Sequence, residues 1–460
     1  MAMATFTNGW DRNTPIMRPQ LPVSNPQGTD AEMLEGLRRA TFEFFRNEVN
    51  SRTGLIADKT QPGSPSSIAA VGMALSVYVL AAERELLSRT EIIDRILTLL
   101  RFFQFSHQGP EADATGYKGF YYHFLDIETG RRAWECELST IDTAILLAGV
   151  LTAATYFAGK SDEERQIREL AESLYRRVDW QWALNEGTTI CHGWKPESGF
   201  LPYRWDTGYS EALILYALAL GSPTSPIDRQ GYKEWISTFT WKRVYDIEYL
   251  YAGPLFIHQM SHLWVDFRGI HDDFNRKKGI DYFENSRRAT YVQRQYGIEN
   301  PLGFDHYNEY GWGLTASDGP GPSVVEVDGV KRVFFDYVAR GAPFGPDDGT
   351  ISPWGVVASL PFAPEIVLKT IRHAIECLKL TGRSPYGFDS SFNPTYSETG
   401  ANPLGWVSPW IFGLNQGPIL LMIENFQTEL IWKTVRRCSY IVEGLRRAGF
   451  RGGWLDNEHP

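Results

Sequence analysis

The chain has 460 residues and a formal net charge of −10 at pH 7. Its basic residues form no cluster, which argues against a nucleic-acid partner, because phosphate backbones demand clustered Lys and Arg. No apolar run reaches the roughly 18 uncharged residues of a membrane span, and the first ten residues lack the basic region and apolar core of a secretory signal. With only four cysteines, no disulfide framework is expected, so we expect a cytoplasmic protein without a membrane partner.

The N-terminal stretch differs from the rest of the chain. Residues 1–29 are proline-rich and show no helical periodicity, which predicts an irregular arm. Between residues 30 and 460, no Ser/Gly/Pro linker and no run of like charge divides the sequence. We therefore expect residues 30–460 to form a single domain, although the length alone would admit several.

Three strongly apolar segments begin with a serine at nearly equal intervals along the chain. The serines are Ser67, Ser139 and Ser210. A helix that is apolar on every side must be surrounded by other protein, so each segment predicts a buried helix. Helices between them, such as 161–184, have one apolar stripe and a charged back. Alternating buried and half-buried helices at a fixed period are typical of a closed helical toroid.

Three further apolar segments bring the number of predicted inner helices to six. They lie near 254–265, 351–360 and 415–425. The sequence therefore predicts an all-α fold, an (α/α)6 barrel. Loops longer than about 15 residues usually carry function, and the barrel would place the long loops of this chain at one end, where they can wall a cleft. These loops are 106–138, 185–208, 297–350 and 383–414.

Carboxyl groups stand at two of the predicted helix openings. Asp142 lies three residues after Ser139, the spacing of a capping box, so a structural role is as plausible for it as a catalytic one. Glu137 lies just outside the same helix and needs no capping explanation. Glu211 takes the first position of the third apolar helix, where the helix dipole favours the ionised form. Burial among aromatic side chains would instead raise its pKa, and the effect of burial is the larger one.

A pair of carboxyl groups is the requirement for glycoside cleavage: one protonates the leaving oxygen and the other activates water or attacks carbon. We expect Glu211 to act as the general acid, with Glu137 or Asp142 assisting the attack of water. A separation of about 6.5–9.5 Å would imply inversion and one of about 5–5.5 Å retention, and the sequence does not give the separation.

Aromatic residues make up 14% of the chain, and many lie in loops beside Gly, Pro and Asp. Ring faces next to carboxylates suit sugars, whose C–H faces stack on rings while their hydroxyls bond to acids and amides. About half of these rings are expected only to fill small loop cores. The candidate substrate-binding residues are Tyr122, His123, Trp194, Tyr203, Arg204, Trp205, Tyr209, Trp312, Asp318, Trp354, Trp406 and Gln416.

Several motifs together resemble the bacterial glycoamylase-like family that includes glycoside hydrolase family 144, the endo-β-1,2-glucanases. The motifs are Glu-Leu-Ser-Thr-Ile-Asp-Thr-Ala at 137–144, Tyr-Ser-Glu-Ala-Leu-Ile-Leu-Tyr at 209–216, Trp-Val-Asp-Phe-Arg-Gly at 264–269 and Trp-Gly-Leu-Thr-Ala-Ser-Asp-Gly-Pro at 312–320. The same type of domain occurs inside cyclic β-1,2-glucan synthases. The resemblance implies an (α/α)6 barrel that acts on glucans without metal or organic cofactor, with Asp142 and Glu211 in its acidic pocket.

From these observations we predict a glycoside hydrolase that cleaves β-1,2-glucan or its oligosaccharides. A glucoamylase-like exo-hydrolase or a transglycosylase acting on another glucan linkage is the first alternative. A non-catalytic sugar-binding protein is the second. Chain-length preference, endo or exo action, stereochemical outcome and oligomeric state stay open.

Cys191-His192-Gly193 resembles one piece of the zinc site of lanthionine cyclases, which makes a zinc enzyme a further alternative. That site needs a second cysteine in its own motif, and none of the other cysteines has it. Because zinc needs about three or four protein ligands, we expect no metal site.

Overall fold

The computed structural model describes residues 28–396 and 404–457, and these residues form a mostly helical structure with several short strands. The predicted N-terminal arm lies outside the described residues, apart from residues 28 and 29. Within the described part of the chain, no helix is long and apolar enough to cross a membrane.

The helices take up most of the regular structure. They are α1 (Asp30–Asn47), α2 (Ile68–Glu83), α3 (Arg89–Phe105), α4 (Thr140–Tyr156), α5 (Asp162–Arg176), α6 (Leu213–Gly221), α7 (Arg229–Ser237), α8 (Asp273–Lys278), α9 (Tyr282–Glu299), α10 (Pro353–Val357), α11 (Pro364–Glu376), α12 (Gly413–Thr428), α13 (Leu430–Val435), α14 (Ser439–Ala448) and α15 (Trp454–Asn457). Short 3-10 helices span Trp182–Leu184, Leu255–His258 and Met260–Leu263.

Short antiparallel strands connect the helices. They are β1 (Ser66–Ser67), β2 (Gly116–Tyr117), β3 (Phe120–Tyr122), β4 (Phe124–Leu125), β5 (Leu138–Ser139), β6 (Gly193–Lys195), β7 (Gly199–Phe200), β8 (Trp241–Val244), β9 (Ile247–Leu250), β10 (Ala316–Ser317), β11 (Ser323–Val327), β12 (Val330–Phe334), β13 (Val338–Ala339), β14 (Phe392–Asn393) and β15 (Trp406–Val407). One sheet has the order β2-β3-β5-β6-β7, and the two-stranded pairs are β1-β4, β8-β9, β10-β13, β11-β12 and β14-β15.

The strands correct the prediction of an all-α fold. The first two predicted loops supply the five-stranded sheet, in which β5 joins strands from both loops through the pairs Tyr122–Leu138 and Leu138–Trp194. Strands of two or three residues are too short to show the two-residue alternation that marks a strand in a sequence. The mostly helical architecture stands, and the long loops carry the sheets.

The two apolar helices predicted after Ser67 and Ser139 are confirmed. Ser67 is the N-cap of α2 and Ser139 the N-cap of α4. Both helices are buried on every side over almost their whole length, because other helices surround them: α2 packs against α4 and α12, and α4 also packs against α5 and α6. The charged-backed helix predicted at 161–184 ends earlier, at Arg176.

The predicted start of the third apolar helix is wrong. Helix α6 begins at Leu213 with Ala212 as its N-cap, so Ser210 does not cap it and Glu211 lies in the turn before it. A hydroxyl from another segment stabilises this helix end: the Ile214 N–H donates to Ser261 Oγ at 3.2 Å, and Ser261 Oγ donates to the Glu211 carbonyl at 2.7 Å. The 254–265 segment that supplies Ser261 consists of 3-10 helices and not the predicted α-helix.

Helices α2 and α4 approach each other until their backbones touch. A Cβ atom on Gly149 would overlap the carbonyl oxygen of Gly72, and one on Gly72 would overlap the carbonyl oxygen of Ile145. The same kind of contact joins α6 to α14, where a Cβ atom on Gly444 would overlap the carbonyl oxygen of Ala217. Glycine is therefore needed at these helix crossings because of the missing side chain.

The substitution Gly149→Ala is expected to destabilise the protein by about 1–3 kcal/mol, the usual cost of overpacking, measured as the free energy of unfolding in urea. Gly36→Ala is the matched control, since Gly36 lies within α1 and no atom lies within 4 Å of a Cβ built there. The control should stabilise the protein by about 0.5–1 kcal/mol, because alanine is the better helix former. Equal unfolding midpoints for the two variants would contradict the backbone contact.

Candidate active site

The first turn of α4 presents Asp142 to the site. Ser139 caps the helix, its Oγ accepting the backbone N–H of Asp142 at 3.2 Å, and the same hydroxyl donates to Asp142 Oδ2 at 2.5 Å. The expected N-cap interaction of Ser139 is therefore present. The second bond of a capping box is replaced, because the Asp142 carboxylate accepts the Ser139 hydroxyl and not the Ser139 backbone N–H. Asp142 is 9% exposed, so its position is fixed while one edge stays accessible.

His123 lies between two of the predicted acids. It connects β3 to β4, and its Nδ1 lies 2.9 Å from Glu137 Oε1 while its Nε2 lies 3.6 Å from Asp142 Oδ2. Burial opposes the charged imidazole, but the carboxylates of Asp142 and Glu137 outweigh it and raise the pKa of His123 to about 9. Burial also favours the neutral form of Glu137, yet the hydrogen bond with His123 holds the pKa of Glu137 below its usual value.

The nitrogen and oxygen atoms of His123, Glu137 and Asp142 lie within 4.8 Å of one another, a spacing that a metal ion could bridge. Among the described residues, no other group of His, Cys, Asp and Glu side chains has this spacing. Each imidazole nitrogen already faces a carboxylate oxygen, which is the arrangement of an ion-paired imidazolium. Cys191 and His192, which resemble part of a zinc site in the sequence, do not belong to this group.

Glu211 is a half-buried carboxyl group within range of the charge of Asp142. Burial, with an added contribution from the charge of Asp142, raises the pKa of Glu211 to about 7. A group of this kind carries its proton near neutral pH and can donate it. Burial is thus the larger effect at Glu211, which lies in the turn before α6.

Asp58 belongs to the same group of acids, although sequence reasoning missed it. It is half-buried, and burial, together with the charge of Asp142, raises its pKa to about 6. Across residues 28–396 and 404–457, no hydrogen bond joins the carboxyl group of Asp58 or Glu211 to another residue. The repeat gave no signal for it, because Asp58 lies ten residues before α2 whereas Glu137 lies three residues before α4.

Asp318 and Tyr337 extend the site towards the third long loop. Asp318 Oδ2 accepts a hydrogen bond from Ser408 Oγ at 2.8 Å, and burial raises the pKa of Asp318. Tyr337 is 45% exposed, and its hydroxyl lies within range of the charges of Asp58, Asp318 and Asp142. Asp318 stays a predicted substrate-binding residue, and Tyr337 is an aromatic neighbour of the acids that the sequence did not single out.

The loop that precedes Glu211 is tied directly to the start of α4. The Trp205 indole N–H donates to Thr140 Oγ1 at 3.0 Å, and Thr140 Oγ1 donates to the Cys191 carbonyl at 2.8 Å. Trp205 also stacks on His192, with ring centroids 3.9 Å apart. These contacts hold the two acid-bearing segments together.

Several predicted sugar contacts are core residues instead. Trp312 and Trp354 are 0% and 2% exposed, and Tyr122 is also fully buried. The Trp312 indole donates to Thr370 Oγ1 at 3.2 Å and the Trp354 indole to the Ala316 carbonyl at 3.2 Å. Their prediction as substrate contacts is corrected, because residue type and loop position do not report burial.

The other predicted contacts fall into two groups. Tyr209 is buried and stacks on Tyr282, Arg204 is held by the backbone carbonyls of Leu184 and Thr189, and Gln416 is buried with its amide unpaired within the described part of the chain. Exposed or half-buried side chains that can still meet a substrate are those of Tyr203, Trp194 and Trp406.

A family model described as "Putative glucoamylase" matches residues 202–439, which is more than half of the chain. The chain belongs to this glycoamylase family. A curated relative, the exo β-1,2-glucooligosaccharide sophorohydrolase of Parabacteroides distasonis, is 27% identical over 453 residues, covering 91% of this chain and 58% of the relative. The glycoamylase-family chain thus spans little more than half the length of that enzyme.

Solved structures share the fold of this glycoamylase-family chain. The crystal structure of a "putative glucoamylase" from Bacteroides uniformis matches with a TM-score of 0.81 and 29% identity, covering 93% of this chain and 99% of that one. A β-1,2-glucanase from Parabacteroides distasonis matches with a TM-score of 0.80 and 26% identity, covering 92% of this chain and 60% of that one.

The raised pKa of Glu211 predicts a pH-dependent cost to stability. Below about pH 4.5 the carboxyl is neutral in both states and costs nothing; as pH rises, the unfolded chain loses the proton first, and the penalty reaches its full size above about pH 7. Glu211→Gln should therefore raise the melting temperature at pH 8 and leave it unchanged at pH 4, measured by calorimetry. Glu135→Gln, an exposed acid, is the control and should change neither value. The same melting-temperature difference at both pH values would contradict the raised pKa.

Proposed function

We propose that this chain is a glycoside hydrolase that cleaves β-1,2-linked glucose chains. The observation that carries the proposal is a pair of carboxyl groups near enough for the charge of Asp142 to act on Glu211, whose half-buried position raises its pKa to about 7. Glycosidases need such a pair. The choice of linkage is supported by the relatives, which are named as acting on β-1,2-linked glucose chains.

In the proposed reaction, Glu211 donates its proton to the glycosidic oxygen as the bond from that oxygen to the anomeric carbon breaks. Asp142 accepts a proton from water while the water oxygen bonds to the anomeric carbon. Glu137 was the other candidate for this base. Its hydrogen bond to His123 and its lowered pKa favour a positioning role, because a more acidic carboxylate is a weaker base.

The fold that holds this site is proposed to be an (α/α)6 barrel formed by residues 30–460 as one domain. The packing of α12 on α2, α2 on α4, α4 on α6 and α10 on α12 supports it. The 3-10 segment between α6 and α10 would complete the circle of inner helices. Ser261 Oγ accepts the Ile214 N–H at the start of α6. The Gln259 amide donates to the Gly355 carbonyl of α10 at 2.6 Å. One continuous cluster of buried apolar side chains supports a single domain.

A cytoplasmic location stays a prediction. The four cysteines are unpaired, which supports a reducing compartment.

The proposed activity is tested by incubating the protein with a panel of β-1,2-, β-1,3-, β-1,4- and α-1,4-glucans and separating the products by chromatography. Shortened β-1,2-linked products support the proposal, and NMR of the first-formed anomer gives the stereochemistry. Cleavage of α-1,4-glucan alone would favour a glucoamylase-like hydrolase, products longer than the substrate would favour a transglycosylase, and unchanged glucans would leave a binding protein.

Glu211→Gln is expected to lower kcat on β-1,2-glucan by roughly 10²–10⁴, the usual contribution of general acid catalysis, while circular dichroism shows a native fold. An aryl glycoside whose leaving group needs no protonation should largely restore turnover in this variant. Asp142→Asn should lose activity on both substrates, because the attack of water still needs a base. Glu135→Gln, exposed on the loop before α4, is the control and should keep its activity. Near-normal kcat in Glu211→Gln would place the acid elsewhere.

A further inference from the structure

We propose that Trp134 is a sugar-stacking platform at the rim of the acidic site, where it binds a glucosyl unit of the substrate away from the bond that is cleaved. This inference rests on the proposed function, because it takes β-1,2-linked glucose chains as the ligand. It adds a dependence on chain length, since substrates too short to reach Trp134 gain nothing from it.

Trp134 differs from the other tryptophans in its exposure. It is 64% exposed, and across residues 28–396 and 404–457 no other tryptophan is exposed. Single exposed apolar side chains are common on protein surfaces, so exposure alone assigns no role. The backbone conformation and the surroundings of Trp134 are what point to a ligand.

The turn that carries Trp134 does not favour a tryptophan. Residues 133–136 form a turn closed by the Cys136 N–H, which donates to the Ala133 carbonyl at 3.1 Å. The two central residues have φ of 54° and 49°, the first of them Trp134. Positive φ at both central positions is the mark of a type I′ turn, where Gly, Asn and Asp predominate. A bulky side chain is therefore held against the preference of its backbone, as happens at ligand-binding sites.

Arg132 anchors this turn. Its Nε donates to the Cys136 carbonyl at 2.6 Å, and its Nη2 donates to the Glu135 carbonyl at 2.8 Å. Its Nη1 pairs with Glu197 Oε1 at 2.6 Å, and the Arg132 side chain is only 2% exposed. Because these bonds fix the backbone that carries the indole, little conformational freedom is lost when a ligand binds to it.

Two half-buried rings connect Trp134 to the acids. The Trp134 and Phe124 centroids are 5.0 Å apart with planes 54° from parallel, so Phe124 lies beside the indole without stacking on it. Phe124 stacks on His123, with centroids 4.0 Å apart and planes 15° from parallel. His123 Nδ1 lies 2.9 Å from Glu137 Oε1. The indole is thus two ring spacings from a residue of the site, and an extended sugar chain bound there can reach it.

An exposed indole in this place suits a pyranose ring, whose C–H face packs on an aromatic face. A contact with a sugar unit away from the cleaved bond is the same in the bound substrate and in the transition state. Such a contact lowers KM and leaves kcat unchanged. Trp134 therefore contributes to the affinity for long chains and not to the chemical step.

The test compares Trp134→Asn with the wild type on β-1,2-glucooligosaccharides of increasing length. Asparagine is favoured at a left-handed backbone position, so circular dichroism should show a native fold. KM for the long oligosaccharides should rise about tenfold, as for the loss of a tryptophan from a binding hot spot. The kcat values, and KM for the shortest substrate that is cleaved, should stay unchanged. Trp134→Phe keeps a smaller ring and should lie between the wild type and Trp134→Asn.

Tyr245→Asn is the matched control. Tyr245 is also exposed and also has a positive φ, 49°, but it lies at the tip of the β8–β9 hairpin, which packs on α9. Its substitution should leave KM unchanged at every chain length. A wild-type KM for long chains in Trp134→Asn would overturn the inference. An equal rise of KM for short and long chains would do the same, because a structural effect does not depend on substrate length.

Binding can also be measured without cleavage. In the Glu211→Gln background, isothermal titration calorimetry with the same oligosaccharides should show weaker binding of long chains after Trp134→Asn and unchanged binding after Tyr245→Asn. This length-dependent loss, without glucan cleavage by the wild type, would uphold the platform and reject the proposed hydrolysis. Cleavage by the wild type with equal affinities in both variants would reject the platform alone. No binding of any β-1,2-linked oligosaccharide would reject both.

Discussion

Backbone contact between α2 and α4 sets the spacing of the segments that carry the acids. Gly72 and Gly149 let the two helices touch without side chains between them, so the chain before α2 and the first turn of α4 lie close together. Asp58 comes from the first of these segments and Asp142 from the second. The carboxyl groups can influence one another only at such short range, because solvent and ions screen charges that lie far apart.

Asp142 is the group through which the other acids interact. Its charge contributes to the raised pKa of both Asp58 and Glu211, and it faces the ring of His123. Asp58 and Glu211 therefore keep their protons to a higher pH than exposed carboxyl groups would, and burial is the largest contribution to the raised pKa of both.

Local sequence patterns predicted the two helices whose residues are apolar on every side. The serines at 67 and 139 lie immediately before helices that are apolar on all sides, and both helices are present. The start of α6 was placed too early because its stabilising hydroxyl comes from Ser261, far along the chain. The two- and three-residue strands were missed because they are too short to show a period.

In the candidate site too, local sequence patterns identified some residues, whereas contacts between distant segments decide the position of others. Glu211 and Asp142 were identified from acids beside apolar helices, and the structure brings them together. Asp58 was missed because no aromatic or apolar pattern marks it, and its surroundings come from α4 and from β3–β4. Trp312 and Trp354 were chosen by residue type, and three-dimensional packing places both in the core.

The cap that Ser261 supplies to α6 ties the placement of Glu211 to a segment far along the chain. The first turn of this helix has no serine, threonine or acid of its own to satisfy its free N–H groups, so it is incomplete until the 260–263 segment has docked against it. The Glu211 carbonyl is part of that same docking contact. Glu211 therefore gains its fixed place only in the assembled protein, and an isolated fragment of the N-terminal half would lack the contacts that hold this residue.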